Sequence, residues 1–76
     1  MNNARKIELF GEYIKSNRIK NNITQNELSK RSGITRTSIS YIEHAQTAPA
    51  LTTVFDLLSG LNLSLRGLNK FYDENK

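Results

Sequence analysis

The 76-residue chain has no cysteine and no tryptophan, a single histidine (His44) and a single proline (Pro49). Without cysteine there is neither a disulfide framework nor a thiolate-held metal. His44 has no recognisable second ligand, and no HExxH pattern, glycine-rich phosphate loop or cysteine nucleophile is present. Serines are many, but a catalytic triad needs a pocket that a few short helices leave little space for. The chain is therefore not expected to be an enzyme, and no metal or cofactor is expected. No apolar run approaches the roughly 20 residues of a membrane span. The polar start Met1-Asn2-Asn3-Ala4-Arg5-Lys6 leads into no signal-peptide core. A cytoplasmic protein without a membrane partner is expected.

What is present is basic. Eleven Lys/Arg stand against seven Asp/Glu, a net charge of +4. The excess lies in residues 1–36, with Arg5, Lys6, Lys15, Arg18, Lys20, Lys30, Arg31 and Arg36 against Glu8, Glu12 and Glu27. A basic half on a small domain favours a polyanionic partner, usually nucleic acid, although mild basicity also serves solubility. A chain of this length buries only roughly 60% of the surface its unfolded form exposes, so one core is expected and a partner subunit would add stability.

Ile7, Phe10 and Ile14 recur at helical spacing and predict a first helix from about residue 7 to residue 21. Asn21-Asn22 can end it, because asparagine tolerates the left-handed conformation. Thr24-Gln25-Asn26-Glu27 is a capping box that opens a second helix to about Ser32, and Gly33 supplies its C-cap. Thr35 can cap a third helix over residues 36–44, with Ile39 and Ile42 on its inner face. After the loop around Pro49, Leu51, Val54, Phe55, Leu58 and Leu61 form the stripe of a fourth helix. Beyond Gly60 the period changes to two: Leu61, Leu63 and Leu65 alternate with Asn62, Ser64 and Arg66, the mark of a half-buried strand.

The stretch from Thr24 to Glu43 carries the functional signal. Two capped short helices joined by a tight turn place one helix across a phosphate backbone and hold the next out towards base edges. The outer face of the third helix offers Arg36, Thr37, Ser40 and Tyr41, with no acid before Glu43. Such groups suit a groove lined with acceptors and thymine methyls, whereas a merely solvated helix more often carries Glu and Lys in i,i+4 pairs.

From about Phe10 to Leu65 the sequence resembles the Cro/phage-repressor type of helix-turn-helix domain, the XRE family. The match runs through Ile14-Lys15-Ser16-Asn17-Arg18, the series from Ile23 to Glu43, and Pro49 with Leu51. This resemblance implies an all-α, lambda-repressor-like bundle of four to five short helices, and a repressor, autoregulatory in the expected case, that binds double-stranded operator DNA. It also implies residue roles. Arg36, Thr37, Ser40 and Tyr41 would contact bases. Thr24, Gln25, Thr35 and Ser38 would contact the DNA backbone, and Gln25 would also brace the recognition helix. Arg36 could instead hold a phosphate, and Thr35 could serve only as a cap. Arg18 and Glu43 match a structural ion pair between the first and third helices. Two departures stand out: Glu43-His44-Ala45 replaces the common Glu-x-Gly, and Asn22 stands where glycine is frequent.

The alternating leucines have no second strand in the chain to pair with, and a lone strand leaves its backbone groups unpaired. Antiparallel pairing between two copies is the simplest remedy, with Leu61, Leu63 and Leu65 at the interface of a homodimer. Leu51-Thr52-Thr53-Val54-Phe55 followed by Leu61-Asn62-Leu63-Ser64-Leu65 is similar to HipB-like antitoxins, which implies as an alternative a partner toxin of the HipA-like kinase type. A restriction-modification controller or a mobile-element repressor stays open as well. The expected organisation is a flexible N-terminal arm at 1–6, the DNA-binding domain at 7–61, a short C-terminal β-strand for dimerisation at 62–68 and a tail at 69–76.

Overall fold

In the computed structural model, which describes residues 3–76, five helices follow one another: α1 (Asn3–Lys20), α2 (Gln25–Ser32), α3 (Arg36–Glu43), α4 (Leu51–Gly60) and α5 (Leu65–Asn75). No strand occurs among the described residues. Helix α1 packs on α3 and α5, while α2 packs on α3 and α4. Leu9, Ile14, Leu28, Ile39 and Leu57 are fully buried where these helices meet, with Phe10, Tyr13, Ile23, Ile42, Leu58 and Leu61 around them. At eight residues each, α2 and α3 are too short to persist alone in water; this core holds them. No helix among the described residues is long and apolar enough to cross a membrane.

Local chemistry sets the helix ends. Thr24, Thr35 and Ser64 each accept a backbone N–H three residues ahead, from Glu27, Ser38 and Gly67. Helices α1, α3 and α4 close with one shared geometry, a residue in the left-handed conformation followed by a backbone bond reaching back five residues. The left-handed residues are Asn22 (φ 58°), Ala45 (φ 57°) and Asn62 (φ 56°). The long bonds run from Ile23 N to Arg18 O, from Gln46 N to Tyr41 O, and from Leu63 N to Leu58 O. Asparagine reaches this conformation easily, but alanine does so against its Cβ. The missing glycine after Glu43 thus leaves the helix end in place and strains it.

Four sequence expectations are corrected. The segment 62–68 is not a strand. Leu61 ends α4 and is buried, Asn62 turns the chain, Leu63 folds back over Leu58, and Ser64 caps α5. Two successive helix-end motifs produced the period of two. The tail at 69–76 is mostly α5 rather than frayed, because Leu68 and Phe71 pack on the core and the Phe71 ring lies 5.0 Å from that of Tyr13. Within the expected arm at 1–6, residues 3–6 are helical, and Arg5 Nη2 donates to the Asn75 carbonyl at 3.0 Å; residues 1 and 2 lie outside the described residues. The fourth helix is also rotated from the expected stripe. Leu57 is buried, whereas Leu51 and Phe55 face outward at 68% and 48% exposure. Helix α4 therefore carries two apolar faces, which the linear sequence merges into one.

At Gly11 the crossing of α1 and α3 is closest: a Cβ there would collide with the Ile42 carbonyl oxygen and crowd the Glu43 backbone. Gly11→Ala is expected to destabilise the fold by about 2–3 kcal/mol through overpacking. Ala45→Gly is expected to stabilise it by about 0.5–1 kcal/mol by relieving the left-handed alanine. Urea unfolding of both variants beside the parent checks the opposite signs.

Candidate nucleic-acid interface

Gly33, with φ 77°, turns the chain sharply between α2 and α3, and its N–H bonds to the Ser29 carbonyl. Ser32 Oγ donates to the Leu28 carbonyl and accepts the Ile34 N–H at 3.1 Å, so the turn's backbone is bonded from within. Thr35 then starts α3 in two ways: its Oγ1 accepts from Ser38 N at 3.2 Å and donates to Ser38 Oγ at 3.0 Å. Ile39 and Ile42 point into the core and lock the rotation of the helix. Arg36, Thr37 and Tyr41 consequently stand exposed on the opposite side, and Ser40 beside them is half-buried. Arg36 takes part in no ion pair among the described residues. The resulting face carries a guanidinium, hydroxyls and a phenol, all able to donate hydrogen bonds.

Glu43, the acid at the end of α3, is turned away from that face and is only 8% exposed. Arg18 of α1 grips it with both prongs, Nε to Oε2 at 2.7 Å and Nη2 to Oε1 at 2.9 Å. Arg18 Nη1 also donates to the Ile23 carbonyl at 3.0 Å. Those hydrogen bonds with Glu43 push the Arg18 pKa further above its ordinary value, against the opposing effect of burial. Gln25, the first residue of α2, donates Nε2 to Glu43 Oε1 at 3.1 Å. One carboxylate thus ties α1, α2 and α3 together. No buried side-chain polar atom among the described residues lacks a partner.

The residues read from the sequence as DNA contacts therefore fall on two helix starts and one helix face. Thr24 and Thr35 are exposed caps, and Gln25 and Ser38 are half-buried beside them. The resemblance implies that Gln25 braces the third helix, but not through which group. The partner is Glu43, and nothing local shows that a carboxylate 18 positions later lies within reach. His44 was left out: it sits exposed at the end of α3, its Nδ1 2.7 Å from the Ser40 carbonyl. The proposed interface residue Leu61 lies in the core, whereas Leu65 is 53% exposed.

Residues 14–68 match the family model described as helix-turn-helix. No curated protein matches the chain in sequence. A solved structure that resembles it is the crystal structure of a mutant of the restriction-modification controller protein C.Esp1396I. The two share a TM-score of 0.82 over 93% of this chain and 97% of that one, at 24% identity.

Removing one partner of a buried ion pair leaves the other charge stranded, an effect on the order of 3–5 kcal/mol. Arg18→Met is expected to lower stability by about 3 kcal/mol, near the low end because Arg18 keeps some solvent contact. Chemical denaturation measures it, and a change below about 1 kcal/mol, the level of a surface pair, would show that the clamp does not hold the helices.

Proposed function

The chain belongs to the XRE-type helix-turn-helix family of DNA-binding transcriptional regulators, and we propose that it acts as a homodimeric repressor that reads a palindromic operator with α3. The observation that carries this reading is the outward polar face of α3, locked by two buried isoleucines and free of acids up to the inward-turned Glu43. In the major groove, Arg36 reaches guanine O6 and N7, Thr37 and Ser40 bond to base edges, and Tyr41 reaches bases or backbone. The starts of α2 and α3 meet phosphates through Thr24, Gln25, Thr35 and Ser38, where exposed N–H groups and the positive helix ends favour anions. Gln25 keeps one amide N–H for this role after bonding Glu43, so the backbone contact is braced by the same carboxylate that fixes α3.

Dimerisation follows from size and from surface. The protomer is 33 Å in its longest dimension and holds one α3, whereas successive half-sites lie about 34 Å apart on one face of DNA. Two copies are needed to read both. The outer face of α4 supplies the contact in place of the strand expected from the sequence. Phe55, Leu63 and Leu65, together with Ser59 and Asn62, line a groove of about 450 Å³ of mixed polarity, and Leu51 stands exposed one turn before Phe55. The interface thus keeps Leu63 and Leu65 and loses Leu61. The antitoxin alternative rested on residues 51–55 followed by the strand segment 61–65; the second of these is a helix junction, which withdraws half of that likeness.

Arg36→Ala is expected to relax sequence preference at one position in each half-site and to weaken operator binding by about 1–3 kcal/mol. Selection of bound DNA from random sequence reads the first effect and fluorescence anisotropy the second. Unchanged preference would remove Arg36 from the reading set. Phe55→Asp and Leu65→Asp are each expected to shift the protein to monomer in sedimentation equilibrium while leaving its helical content intact. Two folded, dimeric variants would exclude this face.

A further inference from the structure

A second groove lies between α1 and α5, the helix the sequence did not reveal. It encloses about 570 Å³, within the range of small-molecule sites. Leu9 and Phe10 of α1 and Leu65 and Leu68 of α5 make its walls, and Lys6 and Arg66 stand on the two opposing helices. No acid lines it. Neither Lys6 nor Arg66 has an ion-pair partner among the described residues, and the nearby Glu8 is engaged by Arg5 at 3.6 Å. Apolar walls with two uncompensated cations at the rim call for a ligand with an apolar body and an anionic head.

We propose that this groove is a binding site for a free medium-chain fatty carboxylate, with an alkyl chain of about eight to ten carbons lying along the leucines and the carboxylate between Lys6 and Arg66. A phosphodiester backbone does not fit the description, because its polar length would desolvate against leucine walls. An alkyl carboxylate satisfies both halves of the site at once, since a charge-assisted hydrogen bond fixes the head while the chain is withdrawn from water. The groove touches the proposed dimer face only at Leu65 and needs no operator, so it is tested without DNA and on residues other than Leu65.

The test is a titration of the full chain, without DNA, by decanoate and by decanol below their aggregation concentrations, followed by backbone amide resonances. Decanoate is expected to move resonances in residues 6–10 and 66–69 saturably, with a dissociation constant on the order of 100 μM. Decanol, which keeps the chain and lacks the charge, is expected to bind roughly tenfold more weakly. The double variant Lys6→Met, Arg66→Met is expected to hold decanoate no better than decanol. Equal binding of the two ligands by the parent protein overturns the proposal without recourse to the variant. So does the absence of saturable shifts, or shifts centred on Phe55 and Leu63. Resonances of residues 6–10 that move on raising the protein concentration alone would assign the groove to a second copy and overturn it equally.

Discussion

One buried ion pair holds the helix that carries the outward polar face. Glu43 brings a negative charge into the core, which is tolerable only where its oxygens are saturated with donors. Arg18 fills that need with a planar fork, two parallel bonds that fix distance and angle together. Gln25 adds a third bond from another helix. A lysine would satisfy the charge and lose the angle. Because α1 and α3 touch backbone to side-chain-free backbone at Gly11, the pair sits at a crossing with little freedom to slide. The orientation of α3 is thereby set by α1, and its rotation by Ile39 and Ile42.

The short helices impose the second constraint. Each leaves orphan N–H and C=O groups at its ends, and in a chain of this size those ends are a large share of the backbone. Hydroxyl caps at Thr24, Thr35 and Ser64 and left-handed residues at Asn22, Gly33, Ala45 and Asn62 close most of them. The motif after α4 has a consequence for architecture. It sends Leu63 back over Leu58 and releases the chain as α5, which returns along α1 and brings Phe71 to Tyr13. The amino-terminal turns of α1 are helical because α5 lies against them. Each helix is ordered by the other.

Polar and apolar surfaces end up separated by element. The start of α2 and the outer face of α3 carry hydrogen-bonding groups, while α4 and α5 keep Leu51, Phe55 and Leu65 exposed. Such a division suits a protein that meets a hydrated polyanion on one side and a protein or small apolar ligand on the other.

The sequence alone determined the helix-turn-helix. Thr24, Gly33 and Thr35 act within a few residues of themselves, and a cap or a left-handed turn is a local event that needs no tertiary partner to be recognised. Ile39 and Ile42 likewise fix which side of α3 faces in. The fate of residues 61–76 was decided only by the tertiary structure. Five residues alternating in hydrophobicity fit a strand as well as a helix end followed by a cap, and only α1, more than forty residues away, supplies the surface that selects the helix. The same holds for α4, where two apolar stripes compete for the core and packing against Leu28 and its neighbours, not propensity, chose Leu57 over Phe55. Local backbone chemistry is written in neighbouring residues; the choice of buried face is made by whatever the chain later lays against it.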